Sequence, residues 1–212
     1  MMKKMISIID YKAGNLTSVK RAVSYLGYDS IITSDSEKIS NSERIIFPGV
    51  GQAGSAMESL RQMNIDEAIK NAFNKGTPVL GICLGTQIIM DYSEEKNSKC
   101  IGIVPGFVKA FEKNMKDDSN NKLKIPHMGW NKVKYLYKHP VFDNINEDYE
   151  FYFVHSYYPF PENDKYTLGI TNYGINFASV IAYNNLIATQ FHPEKSGEPG
   201  LAILNNFCKW NP

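Results

Sequence analysis

The first half of the chain alternates short apolar runs with stretches whose apolar residues recur at helical spacing. Short apolar runs between polar or turn-forming residues predict buried strands, and apolar residues three and four apart predict one face of a helix. Strands that alternate with helices indicate a mainly parallel sheet covered on both faces. The predicted strands are 6–9, 30–33, 44–47 and 78–82, and the predicted helices are 16–26, 65–73 and 86–92.

The second half carries a different pattern, in which short strand candidates follow one another with turns between them. Such a succession predicts antiparallel strands added to the sheet. A final helix is expected over 199–210, and the polar stretch 113–124 is expected to be a solvated loop. No internal repeat or Ser/Gly linker divides the chain, so we predict an α/β fold in one domain. The strand candidates are 107–111, 131–136, 149–154, 167–171, 178–183 and 186–191.

Composition and charge mainly exclude classes of function. The 212 residues include 23 Lys+Arg and 22 Asp+Glu, and this balance disfavours binding to nucleic acid or membranes through a broad basic face. A hydrophobic fraction of 43% is ample for a core and excludes wholesale disorder. The start lacks the apolar stretch of about 7–15 residues that a secretory signal needs, and no run approaches the roughly 20 of a membrane span. We therefore expect a cytoplasmic protein.

Three cysteines without CxxC spacing exclude a disulfide scaffold and a zinc finger, and Cys100 and Cys208 are expected to be buried structural thiols. Cys83 differs because it lies in GICLG, residues 81–85, between a predicted strand and a helix. This is the arrangement of a nucleophile elbow, in which small flanking residues let strand and helix approach around a strained turn. The helix N-terminus favours a thiolate, and the Leu84 amide can donate to an oxyanion. We predict that Cys83 is a nucleophile.

A thiolate nucleophile needs a base, and His192 is the best candidate among the four histidines. Glu194 lies two residues further on, so both side chains can face the same side of an extended segment. A carboxylate on one ring nitrogen fixes the tautomer and leaves the other nitrogen to accept the thiol proton. The alternative is a His-Pro turn with a surface glutamate. For His127 and His155 a structural role rather than catalysis is expected, although His155 ends a predicted strand and could border a site. For His139 a surface turn is expected.

A glycine-rich loop, FPGVG at 47–51, follows the third predicted strand. Gly49 and Gly51 flank Val50, and such glycines free peptide N–H groups to face an anion or a carbonyl oxygen. The alternative is an ordinary tight turn. The loop lacks the Lys and Ser/Thr of a Walker motif, so it does not predict nucleotide binding.

Together these motifs resemble those of the class I (triad) glutamine amidotransferases. GICLGTQ at 81–87 is similar to the G-x-C-x-G-x-Q signature of that family, and HPE at 192–194 is similar to its H-P-E motif. More narrowly, the chain resembles the glutaminase subunits of imidazole glycerol phosphate synthase, from histidine biosynthesis. The stretches that carry this resemblance run from end to end: IDY at 9–11, GNL at 14–16, PGVG at 48–51, HMGWN at 127–131, FVHSYY at 153–158 and FHPEKSG at 191–197.

The resemblance implies a flavodoxin-like, three-layer fold with a mixed, mainly parallel sheet, and a single class I glutamine amidotransferase domain over residues 1–212. Cys83 would attack the carboxamide of glutamine and form a glutamyl thioester. His192, oriented by Glu194, would protonate the departing ammonia and then activate water. No cofactor and no metal is implied.

The resemblance also assigns residues around this triad. The amides of Val50 and Leu84 would form the oxyanion hole after a flip of the Gly49–Val50 peptide. A (β/α)8-barrel cyclase subunit would bind as the partner in a heterodimer and receive the ammonia through a dry passage, since ammonium is not a nucleophile. Residues implied in glutamine binding are Gly49, Gly51, Gln87, Ser156 and Tyr157, and residues implied at the partner interface are Asn15, Trp130 and Lys195.

Two positions depart from the pattern of the family, and three other readings stay open. Thr86 stands where many relatives carry Met or His, and Lys12 stands where Gly is frequent. One alternative is a paralogous glutaminase that supplies ammonia to a cell-surface sugar pathway. A second is a cysteine hydrolase or peptidase, which would leave Gln87 unexplained. The third is a catalytically silent assembly subunit, which the intact triad disfavours.

Overall fold

Six α-helices and fourteen strands make up the computed structural model, which describes residues 5–12, 14–117 and 119–212. The helices are α1 (Leu16–Tyr25), α2 (Ser36–Ser40), α3 (Ala53–Gln62), α4 (Ile65–Asn74), α5 (Leu84–Ile88) and α6 (Gly197–Lys209). The strands are β1 (Ile6–Ile9), β2 (Ser30–Thr33), β3 (Arg44–Gly49), β4 (Val79–Cys83), β5 (Tyr92–Ser93), β6 (Ser98–Lys99), β7 (Gly106–Ala110), β8 (His127–Lys132), β9 (Lys134–Tyr135), β10 (Glu150–His155), β11 (Tyr157–Pro161), β12 (Thr167–Asn172), β13 (Asn176–Tyr183) and β14 (Leu186–Thr189).

Eight of the strands form a central mixed sheet in the order β2-β1-β3-β4-β14-β13-β12-β9. The pairs from β2 to β14 are parallel, and the pairs from β14 to β9 are antiparallel. The predicted α/β class, with a mainly parallel sheet and antiparallel strands from the second half, is therefore confirmed. The register sets Gly49 opposite Cys83 and Ile82 opposite Thr189, so β3, β4 and β14 end side by side. Carboxyl ends of parallel strands are where sites of α/β proteins form.

Helices cover the central sheet on both faces because neighbouring residues of each buried strand point to opposite sides. Ile45 and Phe47 pack with α3 and α4 in one hydrophobic cluster, whereas Ile46 and Leu80 pack with α1 and α6 in another. Such strands, buried on both faces, read in sequence as continuous apolar runs. The predicted strands that correspond to β1, β3 and β4 were recognisable for this reason, whereas β2 is an edge strand that is only partly buried.

Several second-half strands do not join the central sheet. β8 and β10 form a two-stranded antiparallel ribbon, and β11, β7, β5 and β6 form a separate four-stranded sheet. The candidates 107–111 and 149–154 are thus strands, but they pair outside the central sheet, whose order ends at β2 and β9. The candidate 131–136 is divided between β8 and β9, and α2, α3 and β11 were not predicted.

The helix predicted over 86–92 ends at Ile88, and this part of the prediction is wrong. Residues 101–103 run back beside residues 88–90, where α5 ends. Their backbone amides donate to the carbonyl groups that would accept hydrogen bonds within a longer helix. Ile101 donates to the carbonyl of Ile88, Ile103 to that of Ile89 and Gly102 to that of Met90. All three acceptor residues are buried, so their apolar character reflects core packing rather than one face of a helix.

The remaining predictions concern the two ends of the chain and the polar stretch 113–124. The last helix begins at Gly197, two residues before its predicted start. The stretch 113–124 is mostly exposed and contains an isolated bridge between Lys116 and Lys122, whereas Asp118 lies outside the described residues. Residues 1–4, part of the segment considered as a signal, also lie outside them. In the part of the chain that is described, no helix has the length and apolarity needed to cross a bilayer.

Arg44, at the start of β3, is a buried cation whose hydrogen bonds connect the C-terminal end of α6 to the sheet. Its Nη1 and Nη2 donate to the carbonyl oxygens of Phe207 and Trp210, each at 2.7 Å. Its guanidinium lies 5.2 Å from the centre of the Phe207 ring. A cation at the C-terminal end of a helix is favoured because the carbonyl groups there carry partial negative charge.

We expect the substitution Arg44→Met to lower the free energy of unfolding by about 2–4 kcal/mol, because two buried carbonyls lose their donors. Urea unfolding monitored by circular dichroism measures this loss. Arg61→Met is the control, since Arg61 also donates to a carbonyl but is exposed, and its loss is expected to stay below about 1 kcal/mol. Equal losses in the two variants would contradict the role of Arg44.

Candidate active site

Cys83 lies at a strained turn between β4 and α5, as the elbow motif predicts. Its backbone has φ 54° and ψ −105°, a region that residues with a side chain rarely adopt. Gly85 is required because a Cβ there would lie 1.9 Å from the carbonyl oxygen of Phe47. A Cβ at Gly81 would lie 3.0 Å from the Cβ of Ala188. The two glycines thus let α5 begin directly over the neighbouring strands, with Cys83 at its N-terminus.

His192 and Glu194 lie beside this turn and form a buried ion pair. His192 Nδ1 is 2.8 Å from Glu194 Oε1, and the side chains are 1% and 0% exposed. The backbone amide of His192 donates to the carbonyl of Tyr152, and the hydroxyl of Ser196 donates to the carbonyl of His192. These bonds hold the histidine where β14 has ended, next to Cys83.

The protonation of His192 is set by competing effects. Burial by itself lowers the pKa of the imidazole, but the neighbouring Cys83 sulfur and the Glu194 carboxylate, which is hydrogen-bonded to Nδ1, outweigh burial and raise the pKa to about 10. The histidine therefore favours its charged form when the sulfur and the carboxylate are both present. This is the behaviour of a base that can take a proton from the thiol and keep it.

Asn15 lies against the same carboxylate, although the resemblance implied a place at the partner interface. Its Nδ2 donates to Glu194 Oε1, the oxygen that also accepts from His192. Asn15 is only half-buried, so it connects the buried pair to the surface. The other oxygen of Glu194 is buried and has no hydrogen-bond partner among the described residues.

A cavity of about 360 Å³ opens beside the sulfur of Cys83. Seven of the predicted site residues line it: Val50, Gly51, Cys83, Leu84, Gln87, Ser156 and Tyr157. Gly49 is not among the lining residues and instead packs beneath the loop, where a Cβ would lie 1.7 Å from the hydroxyl oxygen of Tyr11. Gly51 has φ 106°, which favours glycine at the end of the loop. The flip of the Gly49–Val50 peptide stays a prediction.

Three residues at the site were not predicted from the sequence. Glu95 lines the cavity and also accepts from the amide of Ala53 at 2.6 Å, at the start of α3. His155 lines the cavity as well, although it was expected to be structural. Gln190 is fully buried and contacts Cys83. Two of them had a sequence signal: His155 follows a predicted strand, and Gln190 lies two residues before His192 and can share its side of the chain.

His155 and His127 form a buried hydrogen-bonded pair behind the cavity. His155 Nδ1 lies 2.8 Å from the carbonyl oxygen of Tyr157, so this nitrogen must donate, and His155 Nε2 then accepts from His127 Nδ1 at 2.9 Å. Asn131 completes the chain, with its Nδ2 3.3 Å from His127 Nε2. Burial lowers the pKa of His127 to about 4, and burial together with the charge of His127 lowers that of His155 to about 3. Both rings are neutral near pH 7.

These depressed pKa values predict that the folded protein loses stability in mild acid. The unfolded chain takes up protons near pH 6.5, while the folded chain resists them until about pH 4, so the stabilisation is complete above pH 6.5 and declines below it. Each histidine contributes a slope of up to about 1.4 kcal/mol per pH unit. We expect His127→Phe to give a shallower decline between pH 6.5 and 4.5 in urea unfolding. Parallel curves for the two proteins would contradict this origin.

The other face of the β8–β10 ribbon is exposed and partly apolar. Trp130 and Met128 are 54% and 62% exposed, and they lie opposite Tyr152 and Val154 in the register. Lys195 extends over the Tyr152 ring, with Nζ 5.8 Å from its centre. Two of the residues implied at the partner interface, Trp130 and Lys195, thus share one surface, and the carbonyl of Val154 beneath it lies 3.9 Å from the Cys83 sulfur.

A cysteine at an elbow, a buried His–Glu pair and an adjacent cavity agree with the comparison to known families. The profile of the family described as Glutamine amidotransferase class-I matches residues 7–210, and the chain belongs to that family. It is 47% identical over 206 residues to imidazole glycerol phosphate synthase subunit HisH of Maridesulfovibrio salexigens, across 97% of both chains. It is 42% identical over 210 residues to subunit HisH of Neisseria meningitidis serogroup B, across 96% of this chain and 99% of that one. The resemblance predicted from the motifs is confirmed.

Solved structures share the fold at lower identity. A putative GMP synthase subunit of Thermoplasma acidophilum has a TM-score of 0.70 and 19% identity, covering 99% of this chain and 94% of that one. The structure of PurLQS from Thermotoga maritima has a TM-score of 0.72 and 17% identity, covering 98% and 99%. At these identities the likeness concerns the fold alone. Among the described residues, no group of three or more His, Cys, Asp or Glu side chains is placed to hold a metal ion.

Proposed function

We propose that this chain hydrolyses glutamine to glutamate and ammonia at Cys83, as the glutaminase subunit of imidazole glycerol phosphate synthase in histidine biosynthesis. The observation that carries the proposal is that the Cys83 elbow lines a cavity and has the buried His192–Glu194 pair beside it. The relatives named imidazole glycerol phosphate synthase subunit HisH support the choice of pathway. We further propose that residues 1–212 form one glutaminase domain that works in the cytoplasm.

In the proposed reaction the Cys83 thiolate attacks the carboxamide carbon of glutamine, and its proton resides on His192. The amides of Val50 and Leu84 stabilise the oxyanion that forms. The carbon–nitrogen bond then breaks, His192 gives its proton to the departing ammonia, and a glutamyl thioester remains. Water attacks the thioester, loses a proton to His192 and releases glutamate and the free thiol. Glu194 keeps the imidazole in the required orientation throughout.

The cavity supplies groups that complement a free amino acid substrate. Glu95 places a carboxylate at the cavity, where it complements an α-ammonium group. Backbone and side-chain groups around the mouth complement the rest of glutamine, and their arrangement supports the proposed binding residues. Gly51, Gln87, Ser156 and Tyr157 line the cavity in this way, whereas Gly49, also proposed to bind glutamine, lies beneath the loop.

A partner subunit is proposed to cover the exposed face of the β8–β10 ribbon and to receive the ammonia. Exposed aromatic residues such as Trp130, next to a cation such as Lys195, are typical of the centre of a protein interface. Asn15 touches Glu194 and is partly exposed, so a partner bound nearby can act on the triad. We propose a (β/α)8-barrel cyclase as this partner in a heterodimer, with no cofactor bound by the present chain.

We expect the purified protein to release glutamate and ammonia from glutamine when the cyclase and its ligand are present. The substitution Cys83→Ser should lower kcat by at least about 10³-fold, because a hydroxyl is a much poorer nucleophile than a thiolate at this position. Coupled glutamate detection measures the rate. Cys100→Ser is the matched control, since Cys100 is also buried but lies away from the cavity, and it should retain activity. Normal turnover by Cys83→Ser would refute the mechanism, and no turnover by the wild type would favour a silent assembly subunit.

The partner surface is tested by Trp130→Ala, which we expect to weaken binding of the cyclase at least about tenfold, because a central aromatic anchor is lost. Isothermal titration calorimetry with the purified cyclase measures the dissociation constant. Tyr137→Ala is the control, since Tyr137 is also an exposed aromatic but follows β9 at the far edge of the sheet. Equal binding by wild type and Trp130→Ala would place the interface elsewhere. No binding by the wild type would favour the sugar-pathway paralogue.

A further inference from the structure

Gln190 is a fully buried side chain that the proposed triad chemistry leaves without a role. Its relative exposure is 0%, and it is not among the residues that line the cavity. Its Nε2 is 3.7 Å from the sulfur of Cys83, and its Oε1 is 3.0 Å from Nε2 of Gln87. Both ends of the amide are therefore engaged by residues at the site.

The direction of this amide is set by a group that can only accept hydrogen bonds. Nε2 of Gln87 donates to the main-chain carbonyl oxygen of Tyr157 at 2.9 Å, so the NH₂ end of Gln87 must face this side. The same NH₂ group also donates to the side chain of Gln190, so the atom of Gln190 that faces Gln87 must be its amide oxygen. The NH₂ group of Gln190 is left facing the sulfur of Cys83. The donors and acceptors thus run in one direction from a backbone atom to the nucleophile.

The groups around the sulfur favour different protonation states. The carbonyl oxygen of Val154, 3.9 Å from the sulfur, can only accept, so it favours the protonated thiol. The amide of Gln190 can only donate at its NH₂ end, and a hydrogen bond to an ionised acceptor is stronger than one to a neutral acceptor. Unlike His192, an amide does not titrate, so this donor persists whatever the protonation of the imidazole.

We propose that Gln190 is a positioning residue that donates a hydrogen bond to the sulfur of Cys83, favours its thiolate form and keeps it directed at the cavity. The catalytic consequence rests on the proposed glutaminase function. The contact with the sulfur needs no substrate, so it can be tested separately from turnover.

Two substitutions remove the donor in different ways. Gln190→Met keeps an unbranched side chain of similar length but has neither donor nor acceptor. Gln190→Glu keeps an oxygen for Gln87 and replaces the NH₂ group by a second carboxyl oxygen. Thr189→Val is the matched control, because Thr189 is the adjacent residue, is equally buried, and bonds the carbonyl of Phe191 rather than the sulfur.

The test is the pH dependence of Cys83 alkylation by iodoacetamide in the intact chain, measured by mass spectrometry of the peptide that contains Cys83. We expect the midpoint of the rate profile to rise by about one pH unit in both Gln190 variants, because the thiolate loses a hydrogen-bond donor. Thr189→Val should stay within about twofold of the wild type. Thermal unfolding is followed in parallel, and a structural role alone would lower the melting temperature without moving the midpoint.

Glutamine hydrolysis in the complex with the cyclase gives the second measurement. We expect kcat to fall about tenfold in Gln190→Met and KM to change less than about threefold. Unchanged alkylation midpoints in both Gln190 variants would overturn the proposal. A rise in KM with no change in kcat would also overturn it, because it would mean that Gln190 acts only through Gln87. A shifted midpoint in the variants with no hydrolysis by the wild type would uphold the sulfur contact and refute the proposed glutaminase function.

Discussion

The geometry of the site depends on how closely α5 approaches β3 at Gly85. No side chain can stand there, because a Cβ would overlap the carbonyl oxygen of Phe47. Given that approach, Cys83 must leave β4 with a positive φ and begin a helix within one residue. The same contact brings the glycine loop after β3 level with the sulfur, since Gly49 and Cys83 are register partners. One steric constraint therefore fixes the positions of both Cys83 and the proposed oxyanion loop.

The histidines near the cavity show how neighbours rather than burial alone decide protonation. His192, His155 and His127 are all buried, yet the pKa is raised in the first and lowered in the other two. His192 has a carboxylate and a sulfur as neighbours, and these compensate for its loss of water. His127 and His155 bond to each other, to the carbonyl of Tyr157 and to the side-chain amide of Asn131. These partners satisfy the hydrogen-bonding groups of neutral imidazole rings. The proposed catalytic base and two neutral structural rings are thus made from the same residue type.

Local patterns predicted what depends on local interactions. Strands β1, β3 and β4 were found because each is buried on both faces, and the elbow was found because its glycines lie two residues on either side of Cys83. The spacing of Ala53, Ala56, Met57 and Leu60 matches one face of α3, so that omission was avoidable. By contrast, Gln190 meets Cys83 across 107 residues, and Glu95 meets Ala53 across 42. Such contacts follow from the order of strands in the sheet, which the sequence pattern alone does not determine.

The hydrogen-bond chain that ends at the sulfur begins at an atom that no side-chain substitution can remove. The carbonyl oxygen of Tyr157 belongs to the main chain, and every amino acid supplies an identical acceptor there. Position 157 can therefore exchange its side chain, and with it the shape of the cavity mouth, without reversing the amides of Gln87 and Gln190. The lining of the cavity at position 157 and the orientation of the amide that faces Cys83 are in this way separable, which gives protein engineers a place to alter the first while leaving the second intact.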